Sequence, residues 1–212
     1  MTKKTSQLPD IIMVAVTLIA IIGVVYLPNI GLGRNLATQA NAAPSDAWCS
    51  SLTWMKENTP DPFGDSSFYY KPYSTQYEPY SSQKAYTDSA YGVMAWWDYG
   101  YWISRIAHRI PNANPSQEVE ATTKVAQFFT AQDENTANAI MNEMGSRYVI
   151  VDNATATYKF YAMVIWAGKD NIDQSKSMAI RLFKLNGEGL DNYQLIHNAG
   201  GEVKIFEYKG RN

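Results

Sequence analysis

The 212-residue sequence predicts a mixed α/β globular domain following one N-terminal transmembrane helix. Three observations predict it. No charge falls between Asp10 and Arg34, and within that stretch Ile11 to Leu27 is apolar apart from Thr17 and Gly23. Beyond it, segments of helical period with capping residues alternate with short β-branched runs such as Tyr148-Val149-Ile150-Val151. The single cysteine, Cys49, excludes an intrachain disulfide and a multi-cysteine metal site, while the length suffices for one good core.

The expected division is 1–31 for the cytoplasmic N-terminus and membrane helix, 32–44 for a juxtamembrane linker, and 45–212 for the external domain. Seventeen helical residues rise roughly 26 Å, and a few flanking residues complete the roughly 30 Å hydrocarbon core. Lys3 and Lys4 precede the span and only Arg34 follows it closely, so the positive-inside tendency places residues after Pro28 on the extracytoplasmic side. The competing reading is a cleavable signal peptide ending at Ala40-Asn41-Ala42. That site lies well beyond the apolar run, and the run is long for a signal core.

In the external domain, Ser45 or Asp46 caps a helix through Trp48, Leu52, Trp54 and Met55, stopped at Asn58-Thr59-Pro60. Cys49 falls inside this amphipathic helix and reads as a buried structural thiol. Pro60 to Tyr86 has prolines and tyrosines without a period and is expected to be a long loop. Gly92 to Trp96 reads as a strand. Tyr101 to Ile110 reads as a helix with Ile103, Ile106, Ala107 and Ile110 on one face. Ser116 is the expected cap of a helix through Val119, Val125 and Phe129. Thr130 with Asp133 caps the next, through Ala137, Ile140, Met141 and Met144, which Gly145 stops. A strand then ends at Asp152, followed by a helix from Tyr158 to Ala167 stopped by Gly168. Ser177 to Leu185 is helical, and Tyr193 to Ile196 pairs with Val203 to Tyr208 around Gly200-Gly201.

A net charge of −2 with 18% charged residues argues against a nucleic-acid surface built on basic patches. His108 and His197 belong to no metal spacing, and no phosphate loop, dinucleotide fingerprint or nucleophile elbow is present. Asp170 and Asp173 read as solvated loop charges. Nine of the fifteen tyrosines lie between Tyr69 and Tyr101, a clustering that suits either peptide or sugar contact or a loop packed on a core. What remains is Trp96-Trp97-Asp98-Tyr99-Gly100. Taken alone, Asp98 at a strand-to-helix junction reads most simply as an N-cap.

That pentapeptide resembles the WWDYG signature of the oligosaccharyltransferase catalytic subunits of the STT3, AglB and PglB type. The apolar span, the Trp48 to Pro60 helix and the turn at Arg109, Asn112 and Asn114 agree with it, so that the resemblance covers roughly residues 11–168. It implies transfer of a polyprenyl-linked oligosaccharide to asparagine in Asn-x-Ser/Thr. It also implies that Trp96, Trp97 and Asp98 bind the acceptor's Ser or Thr. A hydroxyl offers one donor and two acceptor lone pairs, which two indole N–H groups and one carboxylate would saturate. Tyr99 and Gly100 are then supports of the turn.

The same resemblance brings a second signature, Asp-x-x-Lys-x-x-x-Met/Ile, matched here by Lys159 and Met163 as further acceptor-binding residues, with Met163 against the methyl of an acceptor Thr. Ala156 stands where the family has Asp, and Asp152 is the candidate to compensate. The implied cofactor, Mn²⁺ or Mg²⁺, has its family ligands on acidic loops between earlier membrane helices, as does the glycolipid. No catalytic residue or metal ligand is therefore expected in this chain. It reads as an expressed piece, a split gene product or a C-terminal fragment. The alternative function is a membrane-anchored, non-catalytic module that binds peptide or glycan. Asn153-Ala154-Thr155 is itself a sequon.

Overall fold

The computed structural model describes residues 8–39, 44–63 and 90–210. The expected signal cleavage site at Ala40-Asn41-Ala42 and most of the tyrosine-rich segment lie outside them. The chain divides into two units, 1–43 and 44–212.

The first unit is helical throughout its described length: α1 (Leu8–Ile21), a π-helical turn (Ile22–Tyr26) and α2 (Leu27–Gln39). Ile11–Ala37 is long and apolar enough to cross a membrane, and none of it is buried within the chain. The π turn sits just ahead of Pro28, whose missing N–H removes one helical hydrogen bond that a wider turn absorbs. The helix runs on to Gln39, past the point where a linker was expected, because extending an existing helix is far easier than nucleating one.

The second unit is built on a five-stranded sheet in the order β2-β1-β3-β5-β4. Its strands are β1 (Gly92–Met94), β2 (Ile110–Pro111), β3 (Ser146–Asp152), β4 (Tyr193–Ala199) and β5 (Val203–Tyr208). β1 is parallel to both β2 and β3, whereas β5 is antiparallel to β3 and β4. Helix α3 (Asp46–Asn58) starts where Ser45 accepts from the Trp48 N–H, and buries Trp48, Leu52 and Met55 against β4 and β5. Cys49 is only half-buried, its thiol facing the Pro44 carbonyl at 3.7 Å.

The expected helix from Tyr101 to Ile110 is shorter and of another kind. α4 (Gly100–Trp102) passes into a π turn (Ile103–Ala107) that ends at His108 in left-handed conformation, φ 53°, and Ile110 belongs to β2. Ile103 and Ala107 are still buried, so the apolar face was read correctly while its end was not. The next helix, α5 (Val119–Thr130), is capped by the Glu118 carboxylate, which accepts from the N–H groups of Glu120 and Ala121, and not by Ser116. Asp133 alone caps α6 (Glu134–Glu143), since the Thr130 hydroxyl bonds back to Ala126 O. Gly145 takes φ 58° after it, a conformation that costs a Cβ-bearing residue. Between β3 and α8 (Phe160–Trp166) lies a one-turn helix the sequence did not suggest, α7 (Asn153–Ala156), capped by Asp152. α9 (Met178–Phe183) starts from Ser177 as expected and packs on β3.

Candidate functional site

Because β1 and β3 are parallel, their C-terminal ends lie at the same end of the sheet. β1 delivers the 3₁₀ turn Trp97–Tyr99 there, and β3 delivers Asp152, α7 and Lys159. This is where open sheets with parallel strands place their binding residues. The turn is held against the backbone of the Arg109-to-Asn114 segment. A Cβ on Gly100 would come within 2.4 Å of Ala113 O and 2.5 Å of the Asn114 Cα. A Cβ on Gly92 would meet the Asn112 side chain at 2.4 Å. Asn112 in turn donates to Met144 O at 3.1 Å and accepts from the Ser146 hydroxyl at 2.8 Å. The two glycines thus let the turn and β1 close onto one polar anchor.

Trp96 is buried, and its ring centroid lies 6.0 Å from that of Trp97. Trp97 Nε1 and Asp98 Oδ1 are both buried and have no hydrogen-bond partner among the described residues. Native proteins rarely leave such groups unpaired, and a donor and an acceptor on adjacent residues mark a site for a polar ligand. Asp98 caps nothing: neither the 3₁₀ turn nor α4 has a side-chain cap. The helix-cap reading of this residue is therefore set aside.

Asp98 Oδ2 accepts from the Lys159 ammonium, which also donates to the Tyr99 hydroxyl at 2.7 Å and lies 4.1 Å from the centre of the Tyr99 ring. Desolvation pushes the Asp98 carboxyl above its ordinary pKa, with Lys159 pulling it down and Asp152 adding to the rise. Tyr99 is driven far above the usual phenol range, first by burial and then by the Asp152 charge, so its hydroxyl stays protonated. Tyr99 donates to Asp152 Oδ2 at 2.6 Å, and Trp48 Nε1 donates to the same oxygen at 3.1 Å.

Of the residues the sequence singled out, Asp98, Tyr99 and Lys159 meet in one polar cluster, and Trp97 precedes Asp98 in the same turn. Met163 is fully buried in the core, with Phe160 on the same face of α8, so that contact with an acceptor methyl would require this helix to move. Ala156 is also fully buried and offers nothing polar. Sequence reasoning missed Trp48 as a member of the cluster. The only signal was an aromatic residue on a helix more than 100 positions before Asp152, which no local pattern connects. The sequon at Asn153 is folded into α7 with its Thr155 side chain fully buried, so its hydroxyl is closed off in the folded chain.

Comparison with known proteins bears on the family and the fold. The family model of the AglB core domain matches residues 45–156. Dolichyl-phosphooligosaccharide-protein glycotransferase 3 of Archaeoglobus fulgidus is 39% identical over 135 residues, which are 60% of this chain and 15% of that protein. The chain thus spans a small part of the length of that relative. The C-terminal globular domain of an oligosaccharyltransferase from the same organism superposes with a TM-score of 0.61 at 30% identity, over 79% of this chain and 99% of the other. The A. fulgidus oligosaccharyltransferase AglB, solved with an inhibitory peptide and a dolichol-phosphate, gives a TM-score of 0.60 at 26% identity, over 94% of this chain and 28% of the other. With the family model covering more than half of its residues, this chain belongs to the AglB core-domain family and has the fold of the C-terminal globular domain of the archaeal oligosaccharyltransferases.

Proposed function

We propose that this chain carries the acceptor-reading domain of an oligosaccharyltransferase, binding the Ser or Thr hydroxyl of Asn-x-Ser/Thr with Trp96, Trp97 and Asp98. The observation that carries this reading is the pair of buried, unpartnered groups, the Trp97 Nε1 donor and the Asp98 Oδ1 acceptor. A hydroxyl has one donor and two acceptor lone pairs, the complement of one donor and one acceptor. A site built to hydrogen-bond a hydroxyl rejects an analogue lacking it far more strongly than shape alone could. Lys159 neutralises Asp98 and leaves one of its oxygens open. The test is a binding titration of the full chain with two peptides, Asn-Ala-Thr and its isostere Asn-Ala-Val. Binding that depends on the hydroxyl is expected, and equal affinity for both would sink the reading.

The divalent cation implied by the family does not fit the described residues, which contain no group of three or more His, Cys, Asp or Glu able to hold one. In line with the resemblance, we assign the cation and the polyprenyl-linked oligosaccharide to other membrane segments of the enzyme, and the purified chain is expected to transfer no glycan. Incubation with lipid-linked oligosaccharide, Mn²⁺ and a sequon peptide checks this, and any glycopeptide formed would overturn it. A membrane-anchored binding module without a catalytic partner shares the same pocket. A multispan protein with acidic external loops, encoded upstream or purifying with the chain, distinguishes the two.

The reading also fixes an orientation. Lys3 and Lys4 ahead of the apolar helix support an extracytoplasmic domain under the positive-inside tendency. Protease added to cytoplasm-side-out vesicles should spare residues after Pro28 and should digest them in vesicles of the opposite orientation. The reverse pattern would contradict the assignment.

A further inference from the structure

The acceptor reading leaves one buried carboxylate without a task. Asp152 ends β3 at 7% exposure, and three donors converge on it. Oδ2 accepts from Trp48 Nε1 and the Tyr99 hydroxyl, and Oδ1 accepts from the Thr155 N–H at 2.8 Å. Capping a one-turn helix needs no buried charge, since Ser or Asn caps as well. A carboxylate does something a neutral cap cannot. By taking the single proton of the Tyr99 hydroxyl it turns the lone pairs of that oxygen toward Lys159, whose ammonium donates to it at 2.7 Å. Chains of this kind polarise one another and strengthen each link.

The consequence falls on Asp98. A lysine ammonium on a flexible four-carbon stem has no directional preference of its own and can straddle both oxygens of a carboxylate or swing to water. Here it is held by the Tyr99 oxygen, the Tyr99 ring face and Asp98 Oδ2, and Asp98 Oδ1 stays unpartnered. We infer that Asp152 acts through the Tyr99 hydroxyl as the positioning residue of the acceptor site, pinning Lys159 on one oxygen of Asp98 so that the other is free for the acceptor hydroxyl. This rests on the acceptor reading of Asp98 given above.

The experiment compares the full chain with its Tyr99→Phe, Asp152→Asn and Trp48→Phe variants. Three quantities are followed: affinity for the Asn-Ala-Thr peptide, melting temperature, and the titration of the Asp98 carboxyl by carbon-13 NMR. Tyr99→Phe keeps the ring and removes the relay oxygen, so affinity should fall about tenfold, the worth of one hydrogen bond to a charged group. The Asp98 pKa should rise in the same variant, because Lys159 is what holds it down. Asp152→Asn should weaken peptide binding similarly, since either amide orientation sets an NH₂ group against a donor. Trp48→Phe removes one of the two donors to Asp152 Oδ2 and the indole packed 4.1 Å from the Tyr99 ring, so it should lower the melting temperature and weaken affinity less than Tyr99→Phe does. If Tyr99→Phe and Asp152→Asn lower only the melting temperature, Asp152 is a structural hub and the inference fails. Should one of the two not fold, the other decides alone. Asp98→Ala in the same assay separates the two failures: unchanged binding there sinks the acceptor reading itself, whereas a loss there with none in Tyr99→Phe sinks only the positioning role.

Discussion

On the acceptor reading proposed above, Asp98→Ala in the complete enzyme is expected to lose about 2–4 kcal/mol of acceptor recognition, read as kcat/KM per folded enzyme. Truncation removes the carboxylate offered to the acceptor hydroxyl and takes from the Lys159 ammonium its anionic partner. Were Asp98 a helix cap, the loss would appear as stability instead, roughly 0.5–2 kcal/mol. The structure gives the opposite sign. Desolvation raises the folded-state pKa of Asp98, so its contribution to stability is fully present below the ordinary carboxylate pKa and is lost as pH rises through the folded value. At neutral pH the ionised carboxylate is a cost to the fold that the site tolerates. A kcat/KM near wild type together with a clear fall in melting temperature would refute the pocket role. The same shift predicts that acceptor recognition fails on the acid side at a pH above that of an ordinary aspartate. Lys159→Met should move this limb higher still, and an unmoved limb would mean that Asp98 does not titrate in the recognition step.

Arg109→Met should cost about 3–5 kcal/mol of stability, as breaking a buried charged hydrogen-bond set does, and lower the melting temperature by on the order of 10 °C. Arg109 is 2% exposed, and among the described residues its hydrogen bonds run to carbonyls and a hydroxyl, not to a carboxylate. Its Nη2 donates to the carbonyls of Met55, Lys56 and Thr59 at 3.4, 3.0 and 2.6 Å. These carbonyls belong to the end of α3, where helical acceptors have no partner of their own and the helix dipole favours a cation. Its Nη1 reaches Ala107 O and His108 O at 3.1 and 2.9 Å, and Nε reaches Thr59 Oγ1 at 2.9 Å. One guanidinium thus ties the end of α3 to the end of the π turn behind the acceptor site. Methionine fills much of the volume and donates nothing, so the Thr59, Ala107 and His108 carbonyls would lose this donor, while Met55 O keeps the Thr59 N–H and hydroxyl. Arg109→Lys, which keeps the charge with fewer donors, should fall between. Differential scanning calorimetry of the three proteins checks the order, and a loss below 1 kcal/mol for methionine would show that water replaces the guanidinium.

The contrast between these two residues shows which features were legible. Ser45 and Asp133 were readable as caps because a cap is a contact within three residues. Gly145 and Gly168 were readable as stops because a left-handed residue after a helix favours glycine whatever surrounds it. β3, β4 and β5 announced themselves by residue type and by the Gly200-Gly201 turn. The pentapeptide at Trp96 stood out by its composition, and the apolar span by its length. Where the reading erred, something outside the local window decided. Tyr101 to Ile110 has helical spacing throughout, yet Arg109 is drawn to the end of α3 and the helix ends in a π turn. Glu118 replaced Ser116 as a cap because Gln117, at φ 53°, redirects the chain between them.

The site itself divides the same way. Its candidate side chains stood out one by one, but the meeting of Asp98 with Lys159 did not, since they are 61 positions apart. The parallel pairing of β1 with β3 brings them to one end of the sheet, and such pairing depends on the packing of the whole domain. Asp152 illustrates the limit most clearly. From sequence it was a carboxylate at the end of a strand. Only the fold brings to it an indole from α3, a phenol from the turn after β1 and a backbone N–H from α7. Local sequence determined this protein's elements and the chemistry of its candidate side chains, because caps, turns and apolar spacing act within a few residues. Tertiary structure alone decided which of them meet and which are buried, because a carboxylate is assigned its partners by the whole chain closing around it.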